Sequence, residues 1–212
     1  MDSTRTFPAR VRTRRTSAIS AALLVIVAAF GLQACDDDDG LTDANRPSRV
    51  NDARGDFLAT FAGPNNADLD VTRAEVTFDG TNFIFESTSA GPIGTTPNAL
   101  FVWGVDRGQG TARFGDLATG VHFDLVVVVQ PGGITSVRDL TPGGTAQNLP
   151  AGNVSVAGNE LRVTVPATLL PGRGFSQERF TVNLWPRTGA GNNNQIADFA
   201  PDNQNVPVRV MR

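Results

Sequence analysis

The chain has 212 residues, with one cysteine, one histidine and no tyrosine, and its arginines fall short of its acids to leave a net charge of −3. A single cysteine excludes an internal disulfide and, beside a single histidine, excludes a Cys/His transition-metal cluster. No basic cluster follows residue 34, which argues against a nucleic-acid partner and against electrostatic adhesion to anionic lipid.

The first 34 residues read as a secretory signal. Arg5, Arg10, Arg12, Arg14 and Arg15 precede an uncharged stretch whose centre is AALLVIVAAFGL. A basic segment, an apolar segment and a processing point are the plan of an export signal. The arginines favour the cytoplasmic side, so the chain beyond the apolar run is translocated. The apolar run is short of the roughly 20 residues that a comfortable membrane span needs. Behind it, Leu32-Gln33-Ala34-Cys35 resembles a lipobox, the cleavage and acylation signal of bacterial lipoproteins. The resemblance implies a diacylglyceryl thioether on Cys35, cleavage just before it, and an address in the bacterial cell envelope, facing periplasm or exterior. Several acyl chains on one cysteine make a lasting anchor, since one chain alone holds only marginally. Without the signal's five arginines and one acid, the remaining chain carries −7.

Residues 35–54 read as an acidic linker, CDDDDGLTDANRPSRVNDAR, with too little apolar surface to order itself. Its reach as a flexible coil is roughly 25 Å. Four successive carboxylates, Asp36 to Asp39, repel one another and stay solvated. The same run resembles two sorting signals, for inner-membrane retention and for surface export, which point in opposite directions.

Residues 55–212 then read as one all-β domain, a single antiparallel β-sandwich of about nine to ten strands. GDFLATFA puts Phe57, Ala59 and Phe61 on one face. RAEVTF puts Ala74, Val76 and Phe78 on one face, FIFE places Phe83 and Phe85 together, and the two runs flank Asp79-Gly80, a strong hairpin signal. LFVWGVD and GVHFDLVVVV are nearly continuous apolar runs, which suit strands buried on both faces. NVSVAGNELRVTV is a second hairpin, around Gly158-Asn159. ITSVRDL, RFTVNLW and VPVRV complete the series, and ATLLPG offers one helical turn before Pro171-Gly172 stops it. The stretch from Pro186 to Asn205 has no period and is long for a loop inside a compact domain, so it is either mobile or part of a binding surface. Phe78, Phe83, Phe85, Val127 and Val163 are the expected core.

The order of pieces, GDFLATF, then DLDVTRAEVTFDGTNFIFESTSAG, then LFVWGVDRGQGTARF, then VSVAGNELRVTVPATLLPG and FTVNLWP, resembles the β-sandwich modules related to DOMON domains and family-9 carbohydrate-binding modules, and the glucodextranase-type module beside them. The resemblance covers roughly residues 55–190. It implies a ligand-binding or spacer module, with sugar, haem or calcium as ligands. Haem-binding members use Met and His, and beyond residue 34 this chain has only Met211 and His122, which argues against haem.

The remaining chemistry is sparse. His122 shares a strand face with Asp124, but no G-x-S-x-G nucleophile turn accompanies them, so a polar cross-strand pair is the expectation. Calcium takes six to eight oxygens, and Asp52, Asp56, Asp68 and Asp70 flank the first expected strand. Those aspartates are either its ligands or ordinary turn formers. Of the two tryptophans, Trp103 belongs to an apolar strand, while Trp185 precedes Pro186 at the mouth of the long loop and is the candidate platform for a ligand. The expected function is a membrane-anchored, exported lipoprotein with a non-catalytic binding or spacer module. The alternatives are a carbohydrate-binding lipoprotein and a hydrolase of unrecognised type, and the expected partners are the membrane, through Cys35, and a glycan or envelope protein.

Overall fold

A computed structural model describes residues 48–211; the expected export signal, Cys35 and the Asp36–Asp39 run lie outside the described residues. β2 (Val71–Phe78) and β3 (Asn82–Ser89) form the hairpin that Asp79-Gly80 announces. Gly80 sits at φ 89°, in the left-handed region that costs any other residue strain. The Asp79 carboxylate closes the turn by accepting the backbone N–H groups of Thr81 and Asn82. The second expected hairpin joins β10 (Val154–Ala157) to β11 (Glu160–Pro166) across Gly158, at φ 61°, and Asn159. β11 pairs with β3, so the first sheet runs β1 (Arg49–Asn51), β2, β3, β11 and β10.

β1 corrects the linker reading, because it falls inside residues 35–54. It lies antiparallel on β2 with Val50 opposite Ala74, and it buries Val50. β14 (Arg209–Val210) lies parallel to β2 further along. Glu75, on β2, binds these two added strands to the sheet: its carboxylate receives Arg49 at 2.9 Å, Arg73 at 3.0 Å and Arg209 at 3.0 Å. Burial opposes its charge, but the three guanidinium groups outweigh burial and hold it below its ordinary pKa.

The second sheet runs β13 (Val206–Pro207), β12 (Thr181–Arg187), β4 (Leu100–Asp106), β7 (Leu125–Val129), β8 (Thr135–Asp139) and β9 (Ala146–Leu149). GVHFDLVVVV is therefore two strands: β6 (His122–Phe123) leaves to pair with β5 (Thr111–Ala112) in a separate ribbon, and the chain resumes as β7 after Asp124. The expected strand GDFLATFA does not form. Residues 52–70 are irregular, with a turn closed from the Phe61 N–H to the Leu58 carbonyl. Phe57 and Phe61 instead stack at 6.2 Å and pack on the rim of the core.

Between the sheets, Phe78, Phe83, Phe85, Val127 and Val163 are all buried, as expected. Phe83 stacks on Phe78 at 4.6 Å and, at 5.6 Å, on Phe180, which leads into β12 of the opposite sheet. Phe85 meets the edge of Trp103 across the sandwich at 5.5 Å. A second apolar cluster lies outside this sandwich, on the far face of the second sheet. Val102, Val126 and Trp185 point outward there and are covered by Phe114, Ala118, Val121 and Phe123 from the 107–124 excursion and by Ile196 and Phe199 from the long loop.

Candidate functional site

Three of the four aspartates read as calcium ligands come together, and two others join them. Carboxylate oxygens of Asp56, Asp70 and Asp198 lie within 4.8 Å of one another, and so do those of Asp52, Asp56 and Asp202. Asp56 belongs to both groups. Asp68 is the correction: its carboxylate is fully buried elsewhere, accepting the Thr96 N–H at 2.7 Å and the Thr96 hydroxyl at 2.6 Å, which fastens the loop before β4. Asp198 and Asp202 come from the aperiodic loop, far away in sequence. Leu184 and Arg187 of β12 form isolated bridges to Ala200 and Ile196, and these lay the loop along the strand and deliver its two aspartates.

The oxygens of this cluster are half-used. Asp70 Oδ2 accepts the Gly55 N–H at 2.9 Å, and Asp198 Oδ2 accepts the Val71 N–H at 3.0 Å. Oδ1 of Asp70, Oδ1 of Asp198, Oδ1 of Asp56 and Oδ2 of Asp52 are buried without a hydrogen-bond partner. Burial first, and repulsion from Asp52 and Asp56 second, push the Asp198 carboxyl up to about 8. Burial, then Asp56 and Asp202, push Asp52 up to about 7. Burial also raises Asp70. Arg54 is close enough to oppose that rise, yet its Nη2 is spent on the Ala90 carbonyl at 2.9 Å.

A groove opens on the outer face of the second sheet where the covering segments stop. It encloses about 550 Å³. Leu100 and Val102 of β4 and Val126 and Val128 of β7 make its floor, with Leu140 at one end. Ser136 and Arg138 of β8 stand at its margin, and the Ser136 hydroxyl accepts Arg138 Nε at 3.2 Å. Arg187 borders the opposite side, but its guanidinium is taken up by the carbonyls of Gly189, Gly191 and Asn192. Burial lowers its pKa.

Trp185 does border this groove, yet offers no open face. It is 2 % exposed, with Phe114 against it edge-on at 5.0 Å and Phe123 tilted against it at 4.9 Å. Its six-membered ring lies over Gly104, where a Cβ would stand 2.6 Å from it. The long loop folds back on the tryptophan rather than leaving it at a loop mouth. Trp103 is core, as expected.

His122 and Asp124 do not act on each other. His122 is exposed, and its backbone carbonyl accepts Asn205 Nδ2. Asp124 is buried and neutralised by Arg107, whose Nε lies 2.6 Å from Oδ1, while Oδ2 accepts the N–H groups of Arg107 and Gln109. Arg107 also reaches Asp139 at 2.9 Å. These groups hold the 107–124 excursion on the sheet.

Comparison with family models, with curated proteins and with solved structures gives no match for this chain.

Proposed function

We infer that the chain is an exported lipoprotein, tethered through Cys35, whose β-sandwich is a non-catalytic binding module that takes an amphipathic acid in the groove on its second sheet. The groove carries this reading. Its volume of about 550 Å³ falls within the roughly 300–1,000 Å³ of small-molecule clefts. An apolar floor suits an acyl chain or ring, and Arg138, exposed and held in place by Ser136, suits an anionic head. A saccharide is served less well, since the tryptophan beside the groove is packed between phenylalanines and has no flat face to offer a pyranose.

The lipoprotein part rests on the LQAC sequence behind the apolar run. Cells expressing the chain should incorporate an alkyne-palmitate label, and Cys35→Ser should abolish it; a wild type that never takes the label refutes the anchor. For the groove, the probe is 11-(dansylamino)undecanoic acid, titrated into the full-length protein in detergent at a level that leaves free probe monomeric. Saturable enhancement of dansyl emission that Val126→Arg removes supports the reading. Equal enhancement in both proteins refutes it, and so does binding of soluble oligosaccharides without binding of the acid.

A further inference from the structure

We propose that the sandwich binds a calcium ion through Asp56, Asp70 and Asp198, with Asp52 and Asp202 at the open side of the same cluster. The proposal is independent of the groove and of the lipid anchor.

The geometry is that of a coordination sphere. Calcium binds oxygens at 2.3–2.6 Å, so two ligands of one ion are at most about 5 Å apart. Both triads, Asp56-Asp70-Asp198 and Asp52-Asp56-Asp202, keep their oxygens within 4.8 Å. Turn aspartates that merely solvate themselves do not look like this. Asp70 is 6 % exposed and Asp198 is 1 % exposed, and each spends one carboxylate oxygen on a backbone N–H while leaving the other buried without a partner. A buried polar atom left unpaired is costly, and several crowded carboxylates multiply that cost. A cation between them supplies what each free oxygen lacks. The partner is a hard, oxygen-seeking ion, because the triads contain carboxylates alone, with no sulfur or imidazole. Calcium fits better than magnesium, which demands a near-ideal octahedron and gives up its waters reluctantly.

The ion would join three stretches distant in sequence. Asp52 and Asp56 follow β1. Asp70 stands just before β2. Asp198 and Asp202 belong to the loop whose Ile196 and Phe199 cover the outer apolar cluster. Calcium would thus clamp the entry of the chain to the segment that roofs the second sheet.

The test uses the full-length protein in detergent, stripped with chelator, then titrated calorimetrically with Ca²⁺ and with Mg²⁺ and melted in each. Saturable Ca²⁺ binding is expected, with melting raised by about 5–10 °C at a hundredfold excess over Kd. Mg²⁺ should do markedly less. Asp198→Asn provides a readout of opposite sign. In chelator it leaves one fewer carboxyl in a crowded, buried cluster and should melt at or above the wild type; in Ca²⁺ it should melt below it. Asp202→Asn changes an exposed side chain and cannot abolish folding, so loss of Ca²⁺ affinity there reports on the site alone; Asp116→Asn, on an exposed turn elsewhere, should bind as the wild type does. The proposal is overturned if Ca²⁺ neither binds nor shifts the melt, if Mg²⁺ equals it, or if Asp198→Asn changes melting by the same amount with and without the ion.

Discussion

Removing the Arg107 side chain should be among the most damaging single changes in the domain. Its side chain is 0 % exposed, and it neutralises Asp124, itself 1 % exposed, at 2.6 Å and Asp139 at 2.9 Å. Its Nη1 also donates to the Pro171 carbonyl, and its own carbonyl accepts the N–H groups of Arg173 and Phe175. Arg107→Met keeps most of the volume and deletes the charge. Asp124 is then a buried carboxylate with two backbone N–H groups and no cation. Breaking a buried pair in this way costs about 3–5 kcal/mol. At roughly 2–4 °C per kcal/mol for a domain of this size, melting should fall by about 6–20 °C. The assay is thermal and urea unfolding of the full-length protein at pH 7, with Arg107→Met/Asp124→Asn as the companion. Neutralising both partners should recover at least half of the loss, because most of the cost comes from leaving a buried charge uncompensated. The pH dependence has a definite sign. Burial works against the Asp139 charge, but Thr141 and Arg107 outweigh it and hold the carboxyl well below the usual range. A depressed carboxyl contributes stability that is complete above its unfolded pKa, about 3.9, and is lost as pH falls below that value. The wild type should therefore lose more stability than Arg107→Met between pH 5 and pH 2. A cost under about 1 kcal/mol at pH 7, or a double variant no better than the single, would refute the reasoning.

Phe85→Ala should cost about 3–5 kcal/mol by equilibrium unfolding, since the ring is fully buried and bridges the sheets to Trp103; a cost below 1 kcal/mol would mean that the sandwich is not packed as described. Gly104→Ala should cost about 1–3 kcal/mol and shift tryptophan emission, because a Cβ there would stand 2.6 Å from the Trp185 ring; an unchanged melt and spectrum would show that the ring has room to move. Glu75→Gln should weaken the pairing of β1 and β14 with β2, seen as faster hydrogen exchange than in the wild type at Asp52 and Met211, whose N–H groups donate to the Thr72 and Phe78 carbonyls of β2, and exchange left unchanged would remove Glu75 from that role.

The two hairpins were legible because a turn residue and an alternating run fall together. Asp79-Gly80 and Gly158-Asn159 specify backbone conformations that few residues adopt, and the flanking valines and phenylalanines fix which face turns inward. GDFLATFA has the same alternation and no strand. A strand needs a free edge to pair with, and the open edge of β2 is taken by Arg49–Asn51, a segment too short and polar to announce itself, and by Arg209–Val210, the end of the expected strand VPVRV. The acidic cluster was half-legible for a related reason. Asp52, Asp56 and Asp70 are near one another in sequence, so proximity suggested them. It suggested Asp68 equally, although the irregular chain before β2 turns that carboxylate to Thr96. Asp198 and Asp202 carry no local sign, because only the return of the loop along β12 brings them to Asp56.

The apolar runs LFVWGV and LVVVV held more information than a sandwich can absorb. Two stacked sheets bury one face of each strand. Phe101, Trp103, Val105, Leu125, Val127 and Val129 meet that need. The alternate residues, Val102, Val126 and Val128, require a further cover, and the chain provides it only in part. The 107–124 excursion and the 188–205 segment roof Trp185 and Val102, while Leu100 and Val128 stay half-buried and Ile134 is 65 % exposed. A strand that is apolar on both faces in a two-layer fold therefore implies either a third layer or something bound. Here the third layer ends partway across the sheet, and the groove begins where it ends. Filling that groove from within should accordingly stabilise the domain: Ser136→Leu, on β8 at the groove margin, should raise melting by a few degrees while lowering affinity for the dansyl acid. A stabilised variant that still binds the acid fully would place the ligand elsewhere, and a destabilised one would show that the exposed face was never short of cover.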